Sequence, residues 1–501
     1  MENFSSTIVF TLLPLIAGLL IFIGVFKNNT VVIRRFAKYF SALYFIFAAF
    51  EFFNRNTDSE FGNILNSPFY IFSNTTGGTS IAFDTLGSIF ALLVSFLILI
   101  CFVVAKSTIN SGQKLFYSFV LFFESAFLTI LSTQDFCIFC AALLFLALCS
   151  YVLIFNFSPL RAKKAANSYL ILNSFAVFVL SGAFALVYAI LKYNNIEANI
   201  LNFTYNSSDL SGTILLLLFF AFALISAIKI PFFGFHLPIL NIIKNSNPAL
   251  ACVFLSDFIL GFFIFIKFNL YTLKDIFEIF APIIAILSIF NLCYFAVLAL
   301  GEKDLKKSFG YFCFSQSSIA LCALCSISIE GICGAVLQCV SQSLILLGLF
   351  LCYCFASQIF KTTKLPFMGA LAPHAPKLAA FSFILTLAGI GIPFTSGFSA
   401  KFLCLLGGFS TQIYSQNVIW ICNLFILIGL TLGAIYLITT FQKIFFGTDE
   451  CNNCKVSDLL RHRTLALFVL TICVITLGIA PYILTSSITK YADMIVSLFL
   501  T

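Results

Sequence analysis

The chain is 501 residues long, 61% hydrophobic and only 9% charged, with a formal net charge of +8. A soluble domain carries about 25% charged residues, so a string of soluble domains is excluded and one set of membrane helices is implied. The positive charge calls for no nucleic-acid partner, because the basic residues lie in short loops between apolar runs.

The first apolar run, Ile8–Phe26, has no basic flank and no cleavage site, and it is long enough to cross a bilayer. It reads as a first transmembrane helix. Thirteen further spans are predicted, at about 36–53, 80–105, 115–132, 135–156, 166–191, 212–243, 248–268, 275–299, 308–327, 331–357, 378–406, 417–446 and 464–486. The expected fold is therefore an all-α polytopic membrane protein of about fourteen helices. Spans seven and twelve are interrupted by glycine and proline. Spans four to eight and nine to thirteen then form two units of five, each with its broken helix fourth. An odd number of helices inverts the second unit relative to the first. The expected parts are 1–114 for the N-terminal helices, 115–270 and 271–446 for the two repeats, and 447–501 for a loop and the last helix.

Basic residues set the orientation. Of the 27 lysines and arginines, twenty fall in the odd-numbered loops and five in the even loops and C-terminal tail. This bias places both termini outside, which an even number of spans permits. The remaining two are Lys229 and Lys401, inside the two broken spans.

A charge at membrane depth costs about 2.5–3.5 kcal/mol or more, so it is rarely there without a role. Lys229 stands in Ile228-Lys-Ile-Pro231-Phe-Phe-Gly234-Phe-His236. Pro231 removes a backbone donor and Gly234 loosens the next turn, leaving carbonyls that can hold water. Desolvation disfavours the ammonium form, which suits a group that exchanges protons. His236, seven residues on, is expected on the same helical face apart from the distortion at Pro231. Lys401 follows Gly391-Ile-Pro393-Phe-Thr-Ser-Gly397, and the same reasoning applies. The bland alternative for both lysines is snorkelling to the interface.

Glu124, in the middle of span four, needs a partner or must stay protonated, and a lysine on a neighbouring helix would serve. Asp257, in span eight, follows the Lys229 helix in sequence. Gln316 and Gln342, on spans ten and eleven, can hold water or bond across helices but cannot titrate. Asp135 reads as interfacial and His374 as a turn residue. The 18 cysteines are scattered through apolar runs as packing residues. Cys137/Cys140 and Cys451/Cys454 lack the second pair that a metal site needs, so neither metal nor cofactor is expected on this chain.

These segments resemble the antiporter-like membrane subunits of respiratory complex I, which are akin to Mrp-type Na⁺/H⁺ antiporter and membrane-bound hydrogenase subunits. The likeness covers about residues 80–485. It rests on Ile228–His236, Asp304-Leu-Lys-Lys-Ser-Phe-Gly-Tyr311, Gly391–Phe398, Phe441-Gln-Lys-Ile-Phe-Phe-Gly447 and Leu477-Gly-Ile-Ala-Pro481. The last two look most like subunit M, with subunit N next. The resemblance implies a proton channel half in each repeat, with Lys229 and Lys401 as its ionisable groups and a polar axis between them. It implies membrane-subunit partners. NADH or another donor, iron–sulfur clusters and quinone would be bound on those partners, in a bacterial inner membrane.

The chain departs from the family pattern in span five, where the usual glutamate aligns with Leu144, between Asp135 and Tyr151. The family lysine of span eight falls near Ser256 and Asp257, and the histidines of spans ten and eleven appear as Gln316 and Gln342. Glu124 taking over as partner of Lys229, or a weakened channel in a structural subunit, would each accommodate this. Other readings are a Na⁺/H⁺ antiporter or hydrogenase-linked subunit and a stand-alone solute transporter. The orientation is testable: a C-terminal alkaline phosphatase fusion should be active and a C-terminal green fluorescent protein fusion dark.

Overall fold

The computed structural model describes residues 2–25, 29–57, 83–109, 111–133, 135–193, 212–411, 416–447 and 458–500. Among them the backbone is helical apart from turns and isolated bridges, one of which joins Asp304 and Lys364. Eleven helical segments among the described residues are long and apolar enough to cross a membrane, as expected where every backbone polar group must be satisfied within its own segment. The protein is thus an integral, multi-pass membrane protein. Cys451 and Cys454 lie outside the described residues.

The chain forms two compact units. The first holds residues 1–102, 109–229 and 260–277. It contains α1 (Glu2–Ile23), α2 (Thr30–Thr57), α3 (Thr85–Ala105), α4 (Gln113–Ser132), α5 (Phe136–Phe157), α6 (Leu160–Tyr193) and α7 (Gly212–Lys229). Here α1 packs on α4, α4 on α5, α5 on α6 and α6 on α7. A π-helical stretch, Phe265–Thr272, lies against α7. Its Asn269 donates to the Phe219 carbonyl at 3.0 Å, and Phe268 stacks on Phe222 with centroids 4.4 Å apart.

The second unit holds residues 103–108, 230–259 and 278–501. Its helices are α8 (Leu237–Asn245), most of α9 (Ala251–Ile264) and of α10 (Lys274–Gly301), α11 (Leu305–Leu324), α12 (Ile329–Phe360), α13 (Pro376–Ile390), α14 (Ser396–Ser410), α15 (Gln416–Phe445), α16 (Arg461–Ile479) and α17 (Tyr482–Leu500). The central helix is α12, buried without a gap from Gly331 to Ala356. Around it stand α11, α13, α14, α16 and α17.

Each expected span coincides with a helix or a broken pair, with one difference at the end. The segment expected at 464–486 stops at Ile479, and a separate helix, α17, runs on to Leu500. Pro481 has no N–H to continue the ladder and restricts the residue before it. The chain therefore turns at Ala480 and restarts.

Asp304 shows how the loops are fixed. Its carboxylate accepts from the Lys307 backbone N–H and from the Thr363 hydroxyl, capping α11 and tying it to the segment after α12. Gly478 marks a close approach of α16 to the break between α13 and α14, since a Cβ there would overlap the Thr395 backbone. By contrast, a Cβ on Gly182 in α6 meets nothing within 4 Å. Gly478→Ala should therefore lower stability by about 1–3 kcal/mol through overpacking. Gly182→Ala should raise it by roughly 0.5–1 kcal/mol through helix propensity. Thermal midpoints of the two variants in detergent check both signs.

Candidate functional site

The second break builds the more complete site. A helix leaves its last four carbonyls without intrahelical partners. At the end of α13 these are Leu387, Ala388, Gly389 and Ile390. Gly391 adopts a left-handed conformation, φ +96°, and its N–H donates to Ala388 while Ile392 N–H donates to Leu387. This is a Schellman cap, with the proline two residues beyond the glycine. It satisfies two carbonyls and leaves two.

The remaining two, Gly389 and Ile390, are met by Lys401. Its Nζ donates to Gly389 O and, at 3.4 Å, to Ile390 O. The lysine belongs to α14, which starts at Ser396 and doubles back along the break. A Cβ on Gly397 would overlap the Ala388 carbonyl, so only glycine allows that approach. The ammonium thus sits where the macrodipole of α13 is negative, a favourable place for a cation. It is 8% exposed. The backbone of the break is strained: Phe394 holds φ +68°, a region rarely used by bulky residues.

A small cavity of about 10 Å³, room for one water molecule, adjoins Lys401. It is lined from α12 by Gln338, Ser341, Gln342 and Ile345, the i, i+3, i+4, i+7 stripe of one helical face. From α11 come Phe312 and Gln316, one turn apart, and from α14 Gly397 and Lys401. Gln342 donates to the Cys313 carbonyl at 3.3 Å, and Ser341 bonds Ser396 at 2.9 Å across α12 and α14. The structure therefore brings together Lys401, Gln316, Gln342 and the glycines of the break. Gln338 was not anticipated from the sequence. Its spacing of four residues from Gln342 is the signal that could have found it.

The first break is arranged differently. Lys229 ends α7, again at a helix C-terminus, and is 2% exposed. Its Nζ donates to the Tyr169 hydroxyl of α6 at 3.1 Å and lies 5.3 Å from that ring's centre. Beyond it the chain is not helical until Leu237, with Gly234 at φ +97°. The shared face expected for Lys229 and His236 is therefore corrected: without an unbroken helix, seven residues carry no common face. Pro231 opens this irregular stretch, and its Phe233 N–H is accepted by Asn291 of α10 at 3.0 Å, which in turn donates to Ser318 of α11. His236 sits among aromatic rings, 4.9 Å from Phe295 and about 6 Å from Tyr311 and Phe314. Asp257 is buried in α9.

Glu124 is fully buried in α4. Its surroundings include the N-terminal helices. The Tyr44 hydroxyl of α2 lies within reach of its charge, and the adjacent Ser125 donates to Thr11 of α1 at 3.1 Å. Leu144 is 39% exposed on the outside of α5, a face that would leave a carboxylate uncovered by its own unit. Asp135 caps α5, accepting from the Cys137 and Ile138 N–H groups at 2.8 and 3.3 Å. His374 lies on an exposed turn.

The chain is similar to known membrane subunits over almost its whole length. It is 25% identical over 492 residues to the chloroplastic NAD(P)H-quinone oxidoreductase chain 4 of Mesostigma viride, covering 97% of this chain and 95% of that one. It is 28% identical over 411 residues to NADH-quinone oxidoreductase subunit M of Rickettsia typhi, covering 80% and 79%. Its fold matches a chain of respiratory complex I from Thermus thermophilus, with a TM-score of 0.82 over 98% of this chain and 99% of that chain at 20% identity. Residues 134–429, more than half the sequence, match the family described as NADH:quinone oxidoreductase/Mrp antiporter, TM. The protein therefore belongs to the NADH:quinone oxidoreductase/Mrp antiporter family of membrane subunits.

Proposed function

We propose that this protein is a proton-translocating membrane-arm subunit of a complex I-type quinone oxidoreductase, most like subunit M. The observation that carries this reading is Lys401, a buried cation held by the two carbonyls its own broken helix leaves over. A charge placed there can be loaded and unloaded without unfolding the segment, because the carbonyls accept from an ammonium or an amine alike.

The coupling is electrostatic. Two unit charges 4 Å apart interact by about 1 kcal/mol in water but about 4 kcal/mol at an effective dielectric constant of 20. A charge displaced near Lys229 or Lys401 therefore changes the cost of keeping either one protonated. Lys229 donates to the Tyr169 hydroxyl from the C-terminal end of α7. Gln316 and Gln342 line the approach to Lys401 without titrating. The polar axis would run from Lys229 towards Lys401, with His236, Asp257 and Glu124 as further ionisable candidates. Pro231, Gly234, Gly391, Pro393 and Gly397 are the positions that break the helices.

In this reading the chain crosses a bacterial inner membrane about fourteen times, in two inverted five-helix repeats, with both termini on the periplasmic side. Electron transfer from NADH or another donor, through iron–sulfur clusters to quinone, belongs to partner subunits, and this chain carries no redox chemistry. The family description also names Mrp antiporters, so Na⁺/H⁺ exchange is the second reading.

In the assembled complex, Lys229→Ala, Lys401→Ala and Glu124→Gln should each lower the protons moved per electron, while electron transfer to artificial acceptors persists. An unchanged ratio in all three variants would sink the reading. Translocation in sodium-free and sodium-rich medium separates the two ions: proton pumping should be the same in both, and a strict sodium requirement would favour antiport.

A further inference from the structure

We infer that Gln338 is a positioning residue that, with Gln342, holds one water molecule against Lys401. The inference deepens the proton-translocation reading and rests on it. The argument begins with the donors of Lys401. An ammonium has three N–H groups, and Gly389 O and Ile390 O accept two. The third can reach the adjoining cavity, whose wall includes Lys401 itself.

The acceptors come from α12. Gln338 is 2% exposed, and its Oε1 has no hydrogen-bond partner among the described residues; the same holds for Oε1 of Gln342. The Nε2 of Gln342 is anchored on Cys313 O, which fixes the end of that amide left free. Both glutamines line the cavity, and it has the size of a single water. A buried polar oxygen without a partner is costly, and a buried water typically makes about three hydrogen bonds. One water here accepts from Lys401 and donates to Gln338 and Gln342, which satisfies all three groups at once.

The consequence is a defined first step. The water fixes the direction in which the third N–H of Lys401 points, and the lysine exchanges its proton along that direction. The amides neither gain nor lose a proton. They hold the water in line with the lysine, the task that a direct contact would otherwise perform.

Two measurements on the intact complex test this. A high-resolution map of the unaltered protein should show one ordered water within hydrogen-bond distance of Lys401 Nζ and Gln338 Oε1, and a dry cavity would overturn the inference. Gln338→Met keeps the length of the side chain and removes the oxygen. It should lose at least half as much proton translocation per electron as Lys401→Ala loses, with electron transfer to artificial acceptors unchanged. Wild-type translocation in Gln338→Met alongside a loss in Lys401→Ala would overturn the role of Gln338 and leave the proton reading standing. An unchanged ratio in Lys401→Ala itself would instead fail that reading.

Discussion

The backbone of a membrane helix has no water to fall back on, so every carbonyl released by a break must be given another donor. The Gly389 and Ile390 carbonyls make this concrete. The Schellman cap serves Leu387 and Ala388, and the side chain of Lys401 serves the other two. The lysine and the break are therefore one device. The break supplies a negative, polar spot at membrane depth, and the lysine makes the break tolerable. Each hydrogen bond to a charged group contributes about 1.5–3 kcal/mol, comparable with the cost of placing a lysine in the membrane.

The same logic is applied with different parts in the first unit. There the lysine is the last residue of the helix before the break and turns to a tyrosine hydroxyl on α6. The released backbone beyond Pro231 is met by Asn291 of α10. Two sites with similar sequence signatures thus use different donors. The second gathers a lysine and three glutamines around one cavity.

Most of this architecture is legible in the sequence, because hydrophobic length and the Gly/Pro interruptions act locally. The breaks after Lys229 and before Ser396 fall where Pro231, Gly234, Gly391 and Pro393 place them. The final helix was harder to read, because Pro481 lies in an apolar stretch that looks continuous by hydropathy and only the N–H count ends it. The pairing of buried groups is tertiary and leaves no local trace. Nothing near Glu124 in sequence says that its side chain lies beside α2, nor does the Lys229 segment name Tyr169, sixty residues earlier. Gln338 was hidden for another reason: a glutamine in an apolar helix stands out less than a charge, and its value depends on Gln342 one turn away.

The contact between α12 and α14 has a mechanical side. Their backbones touch at Gly331 with Gly407 and at Gly334 with the Leu403–Cys404 peptide, where even a methyl group would not fit. Ser328 bonds the Gly407 carbonyl at 2.9 Å, and Ser341 bonds Ser396 near the other end of α14. Bolted at both ends and seated without intervening side chains, the two helices behave as one stiff beam. Lys401 of α14 and Gln338 and Gln342 of α12 then ride on the same beam, so a push on α12 displaces the cation and these two amides in unison and leaves their spacing intact.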